Sequence, residues 1–156
     1  MDSHSHWIAW AAGIVDGEGC IHLCKREGAY YVRLDVANTD IAMLHKLKEL
    51  FGGAVNGKAS GRDNRRPVWS WQVSHKTADT ALRSMLPWFV TKRSQAEAAL
   101  LARQYMGRAQ SAGVKRKPQD VEVLALIDTR LRILKREPSG EAPLIELPEE
   151  KQRWLI

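Results

Sequence analysis

Three physical features of the stretch Ala11-Ala12-Gly13-Ile14-Val15-Asp16-Gly17-Glu18-Gly19 set the reading of the whole chain. The spacing predicts a helix over 6–17, on which Ala9, Ala12, Gly13, Asp16 and Gly17 share one face. Small residues on a helical face let a second helix approach closely. Gly13 inside the helix costs about 1 kcal/mol relative to Ala, and close helix packing is the candidate that offsets it. Asp16 and Glu18 fall at the helix C-terminus, where the macrodipole is negative and disfavours each carboxylate by about 0.3–1 kcal/mol. A divalent cation reverses that sign, because carboxylates and free terminal carbonyls are the oxygen ligands that Mg²⁺ accepts. The plain alternative is a polar turn between helix and strand, since Gly and Asp dominate turns for backbone reasons.

Working outward, residues 20–26 alternate and read as a strand, 27–29 as a turn, and 30–38 as a second alternating strand. Asp40 can cap a helix carrying Met43, Leu44, Leu47 and Leu50 at a period near 3.6, ended by Gly52-Gly53. Residues 54–59 and 67–74 form a second hairpin around the loop Ser60 to Arg66, and helices follow at 77–87 and about 92–106. The order α-β-β-α-β-β-α predicts an α+β fold, an antiparallel sheet with helices on one face, over residues 1–106. Beyond it, 107–118 is a basic linker containing Lys115-Arg116-Lys117. Residues 119–136 form an amphipathic helix with Val123, Ile127, Leu131 and Leu134 on one side. The Pro- and Glu-rich tail closes on Trp154-Leu155-Ile156. This C-terminal helical extension of 107–156 either packs on the core or extends a nucleic-acid footprint. No internal repeat of the α-β-β unit is present.

The 156 residues and formal charge of +6 describe one domain with a net positive field, which favours nucleic acid or an anionic membrane. The apolar run Trp7 to Val15 is far short of the roughly 20 residues a bilayer needs. Met1 to His6 lacks the Lys or Arg of a signal peptide, so an intracellular protein, neither secreted nor membrane-bound, is expected. Cys20 and Cys24 lie too close together for a disulfide framework, which fits a reducing compartment. Cys20, His22 and Cys24 alternate along one strand and span about 13 Å, too far for one zinc ion. Trp7, Trp10 and Trp88 read as packing residues, and His4 and His6 as solvated.

The segment from Ala11 to Gly19 resembles the signature motif of the LAGLIDADG homing endonucleases, which are sequence-specific DNA nucleases. Ala11 replaces a larger aliphatic residue and Glu18 the usual aspartate. The likeness extends through Asn38-Thr39-Asp40, Leu50-Phe51-Gly52-Gly53 and Leu86-Pro87-Trp88-Phe89 to Lys92 and Gln95-Ala96. It implies an antiparallel sheet shaped as a saddle, and a dimer with the motif helices of two subunits packed at its centre, on Ala9, Ala12 and Gly13. It also implies that Glu18 ligates Mg²⁺ or Mn²⁺, with the Gly17 carbonyl as a second ligand. Asp16 chiefly orients the helix end, with ligation as its lesser role. Asn38 would position the attacking water and Lys92 would support the phosphate.

A β-ribbon fits the DNA major groove. With Ile21, Leu23, Val32, Leu34, Val36, Trp71 and Val73 turned inward, the outward residues are His22, Cys24, Arg26, Tyr31, Arg33, Asp35 and Gln72. Lys58, Arg62, Arg65 and Arg66 surround the second hairpin loop, a basic cluster suited to DNA or simply a solvated turn. A single motif supplies half a dimer interface, so a homodimer on near-palindromic double-stranded DNA is expected. Two other readings remain open: a cleavage-deficient DNA- or RNA-binding regulator or splicing helper on the same scaffold, and a protein-interaction module.

Overall fold

Alternation of apolar and polar residues builds the centre of the molecule. In the computed structural model, which describes residues 3–58, 67–107 and 117–136, Gly19–Arg26 (β1) and Ala29–Asn38 (β2) form an antiparallel hairpin. Tyr30, Val32, Leu34 and Val36 of β2 are buried, while Tyr31, Arg33 and Asp35 between them are half-exposed. Ala54–Lys58 (β3) and Val68–Ser74 (β4) pair likewise, and β4 joins β2, giving the antiparallel order β1-β2-β4-β3. Trp71 and Val73 point to the same inner face as the β2 core residues.

Helices cover that inner face: Ser3–Glu18 (α1), Ile41–Phe51 (α2), His75–Met85 (α3) and Arg93–Gly107 (α4), with a short 3-10 turn at Leu86–Trp88 before α4. Asp40 caps α2, its Oδ1 accepting from the Ala42 and Met43 N–H groups at 2.9 and 3.4 Å. These are two of the first-turn donors that the helix itself leaves unpaired. The fully buried Trp71 donates its ring N–H to the Gly52 carbonyl at 2.9 Å, so the largest inward side chain carries no unsatisfied polar atom. Gly53 follows with φ of 88°, and a Cβ there would lie 2.4 Å from the Gln72 carbonyl oxygen. The turn from α2 into β3 is pressed against β4 at a point where only glycine fits.

The amphipathic segment forms Pro118–Arg136 (α5), which buries Val123, Leu124, Ile127, Leu131 and Leu134 and packs mainly on α4. The buried Gln95 of α4 donates to the Leu134 carbonyl at 3.4 Å. Two expectations are corrected. Trp7 is 42% exposed, with the Lys46 ammonium 4.2 Å above its ring and Trp10 edge-on at 5.6 Å. The first helix also begins at Ser3, which places His4 and His6 in its opening turns, both exposed. Among the described residues, no helix is long and apolar enough to cross a membrane.

Asp40→Ala removes both cap bonds from α2 and should lower stability by about 1 kcal/mol. In urea denaturation the midpoint should fall while the slope stays constant; an unchanged midpoint would show that the cap contributes nothing.

Candidate active site

The chain passes from α1 into β1 without a linker, since α1 ends at Glu18 and β1 starts at Gly19. A Cβ on residue 19 would sit 2.7 Å from the Val15 carbonyl oxygen, so glycine permits this abrupt exit. Glu18 is thereby held at the very end of the helix with its side chain exposed, and it has no ion-pair partner among the described residues.

Two residues earlier, Asp16 reaches across the fold. Its Oδ2 accepts from the Val90 N–H at 2.8 Å and its Oδ1 from the Lys92 N–H at 2.9 Å. The Lys92 ammonium returns the contact by donating to the Asp16 main-chain carbonyl, and the Thr91 hydroxyl donates to that same carbonyl at 3.4 Å. Asp16 thus sits at the N-terminal end of α4, where a negative charge is favoured, and Lys92 sits at the C-terminal end of α1, where a positive one is. For Asp16, the electrostatic misfit read from the motif is repaired within the chain by this exchange. Both carboxylate oxygens of Asp16 are engaged in it, which leaves Glu18 as the open carboxylate.

Asn38 stands at the same end of the sheet. Gly19 pairs with Val36, so Asn38 lies two residues beyond the cross-strand partner of the residue after Glu18. Its Oδ1 accepts from the Asp40 N–H at 2.9 Å and closes a turn that leads into α2. The fold therefore gathers Asp16, Gly17, Glu18, Lys92 and Asn38 at one end of the sheet. Among the described residues no three His, Cys, Asp or Glu side chains form a metal cage.

The motif helix presents a different small-residue face from the one expected. Ala12 is fully buried in the core of its own chain and is not available to a partner. The accessible small residues are Ala9, Gly13 and Gly17, of which Gly13 and Gly17 are exposed with no described atom within 4 Å of a Cβ built on them.

The outer sheet face carries cross-strand rows. Asp35 lies between Cys20 and Gln72, and Arg33 between His22 and Ser74, while Tyr31 lies opposite Cys24. Arg26 is exposed beside the hairpin turn, and the Lys58 backbone closes β3 opposite Val68. Arg62, Arg65 and Arg66 lie outside the described residues. Asp35 Oδ1 is 3.1 Å from both His22 Nε2 and Arg33 Nε. Burial alone would raise its pKa. The hydrogen bond and charge of His22, with those of Arg33, outweigh that and hold the carboxyl below its ordinary value.

Two further residues belong to this face and were missed in the sequence. Lys135 of α5 brings its ammonium to 3.4 Å from His22 Nδ1. Its place in the last turn of a helix reads only as favourable for the dipole. His75 stacks on Tyr31 at 5.0 Å between ring centroids and has a φ of 55°, uncommon for a non-glycine residue. Nothing in the sequence marks it.

No protein-family model matches the chain, and no curated protein matches it by sequence. Solved structures do. The homing endonuclease I-CvuI in complex with its target is 23% identical, with a TM-score of 0.69 over 91% of this chain and 88% of that one. The homing endonuclease I-TnaI is 19% identical, with a TM-score of 0.59 over 83% and 93%. The LAGLIDADG meganuclease I-AabMI bound to uncleaved DNA is 15% identical, with a TM-score of 0.60; the match covers 91% of this chain and 53% of that one. The α+β fold is thus the one shared by the LAGLIDADG homing endonucleases.

Asp16→Asn keeps one acceptor oxygen and turns an NH₂ group toward one of the two backbone donors. Stability should drop by about 1–3 kcal/mol, the range for losing a charged hydrogen bond with its partner left unpaired. Chemical denaturation with no change from the parent would mean that the clamp is not holding the helix end.

Proposed function

We propose that the protein is a sequence-specific, metal-dependent endonuclease that cuts double-stranded DNA as a homodimer on a near-palindromic site. The observation that carries this reading is the exposed Glu18 carboxylate at a clamped helix end, beside Lys92 and at the Asn38 end of the sheet. Mg²⁺ commonly takes only one or two protein carboxylates and completes its shell with water and substrate phosphate. Glu18, with the Gly17 carbonyl, fits that demand; Asp16 would serve as the tether that aims it. When bound, Mg²⁺ or Mn²⁺ would activate water and stabilise charge on the phosphate and leaving oxygen.

The remaining roles fall to the chain's own groups. Lys92 holds a positive charge at the end of α1, where it would meet a scissile phosphate. The Oδ1 of Asn38 is used in its turn, so its NH₂ group is the donor that would orient a water. The outer face of the sheet, with His22, Arg26, Tyr31, Arg33, Asp35 and Gln72, would meet the major groove, and Lys58, Arg62, Arg65 and Arg66 would extend the contact. A formal charge of +6 supports this role. The core would be the unit of residues 1–106, and 107–156 an extension, of which α5 packs on α4. Such an enzyme works inside the cell, where its DNA is.

The exposed Gly13 supports the homodimer, since no described residue packs against it to offset the helix penalty. A Cβ at residue 13 meets no described atom within 4 Å, so Gly13→Leu should be tolerated by the monomer, raise its helix stability by roughly 1 kcal/mol and block close approach of a second helix. Sedimentation should then report monomers with an undiminished melting temperature; an intact dimer would exclude this face as the contact.

Glu18→Gln keeps the shape and removes the charge. Fold, dimer and metal-free DNA affinity should persist, the last slightly improved because a carboxylate facing phosphate is repulsive. Cleavage of a duplex selected from a random library should collapse by several orders of magnitude in Mg²⁺ or Mn²⁺, because a neutral amide is a poor ligand for a hard cation. Near-normal cleavage by this variant would place the chemistry elsewhere. DNA binding without cleavage by the parent protein would identify a regulator on the same scaffold.

A further inference from the structure

Arg33 projects from the middle of β2, which lies between β1 and β4, so it stands near the centre of the outer face. An arginine there would ordinarily sample many rotamers, and ordering it for recognition would be unfavourable. Here the side chain is restrained. Its Nε lies 3.1 Å from Asp35 Oδ1, and the same oxygen lies 3.1 Å from His22 Nε2. His22 is restrained in turn, with Nδ1 3.4 Å from the Lys135 ammonium. Both ring nitrogens of His22 are thereby engaged, Nδ1 toward Lys135 and Nε2 toward Asp35. Four side chains from β1, β2 and α5 thus form one connected line, and their charges alternate where it meets Arg33.

The contact to Asp35 uses Nε, and among the described residues nothing engages the Nη1 and Nη2 fork, which remains for a ligand. The side chains of Arg33, Asp35 and His22 keep 32%, 25% and 28% of their surface accessible. That is enough for contact from above and too little for a free, fully solvated ion pair. In the major groove only guanine offers two adjacent acceptors, O6 and N7, that such a fork can take together. Adenine offers an acceptor beside a donor, thymine an acceptor beside a methyl group, and cytosine a donor. The Oδ1 of Asp35 serves two donors at once, which ties its carboxylate to Arg33 and His22. Its negative charge, which would repel phosphate, is balanced by Arg33 within the pair.

We propose that Arg33 reads a guanine in each half of the DNA target, and that Asp35, His22 and Lys135 are positioning residues that hold its fork. This deepens the endonuclease reading and rests on it. It also gives α5 a part in recognition, because the line that restrains Arg33 ends on that helix.

The test is selection of bound duplexes from a random library in the absence of a cleaving metal, with the parent protein, Arg33→Lys, Arg33→Ala and Asp35→Asn. The parent consensus should contain one position per half-site where guanine is preferred by tenfold or more, on the order expected for one bidentate arginine pair. Arg33→Ala should level the four bases at that position and leave the others unchanged. Arg33→Lys keeps the charge without the fork, and should lose the same preference while retaining the salt dependence of binding. Asp35→Asn should weaken preference at that position alone, which a merely structural role would not do. A parent consensus that survives Arg33→Ala and Arg33→Lys unaltered overturns this assignment and leaves the endonuclease reading standing. A parent protein that selects no consensus overturns the function, and the assignment with it.

Discussion

Helix ends are where an α+β fold has unpaired backbone groups to satisfy, and in this chain two opposite ends satisfy each other. The C-terminus of α1 offers carbonyls and a negative dipole; the approach to α4 offers N–H groups and a positive one. Asp16 and Lys92 exchange their charges across that junction, Asp16 accepting from the Val90 and Lys92 N–H groups and Lys92 donating to the Asp16 carbonyl. Each charge sits at the wrong end of its own neighbourhood in sequence and at the right end of the other helix in space. The exchange fixes segments 74 and 76 residues apart along the chain.

The direction of β1 depends on that junction. Because no residue intervenes between Glu18 and Gly19, the angle at which α1 ends is the angle from which the first strand departs. The strand's inner residues, Ile21 and Leu23, then meet the helices, and its outer residues, His22 and Cys24, are turned away. A loosened clamp would therefore disturb both the projection of Glu18 and the register of the face two strands away. The motif can hold an uncompensated carboxylate at Glu18 because Asp16, next but one, is fully engaged.

What the sequence made legible was what its periodicities encode. Period-two alternation from Tyr30 to Val36 assigned both faces of β2, and the helical period of Met43, Leu44, Leu47 and Leu50 located α2 with its Asp40 cap. The gathering of Glu18 and Lys92 was legible through the resemblance of the motif and its flanking segments. The inner face of α1 was not. That helix is apolar or small nearly all round, so Ala12 could not be separated from Ala9 and Gly13 by pattern, and only packing placed it in the core. Trp7, read as a packing residue, is instead half-exposed, because an indole can equally sit at the surface beneath a lysine ammonium. Lys135 and His75 were invisible because their partners, His22 and Tyr31, lie far away in sequence on other elements.

Core and face are also chemically separable in this architecture, and that separation bears on what can vary. Every second residue of β1, β2 and β4 belongs to the packed side, where a change of a single methylene is felt. The residues between them meet one another only in shallow cross-strand pairs, each worth a few tenths to about 1 kcal/mol. The outer set can therefore change while the inner set keeps the fold, and solved structures only 15–23% identical to this chain share its fold at TM-scores of 0.59–0.69. The line from Lys135 through His22 and Asp35 to Arg33 is drawn wholly from the outer set and from α5, so its residues are free to specify without being needed to hold the core. The Asp16–Lys92 clamp has no such freedom, since its geometry sets the end of α1 on which both the candidate chemistry and the strand that follows depend.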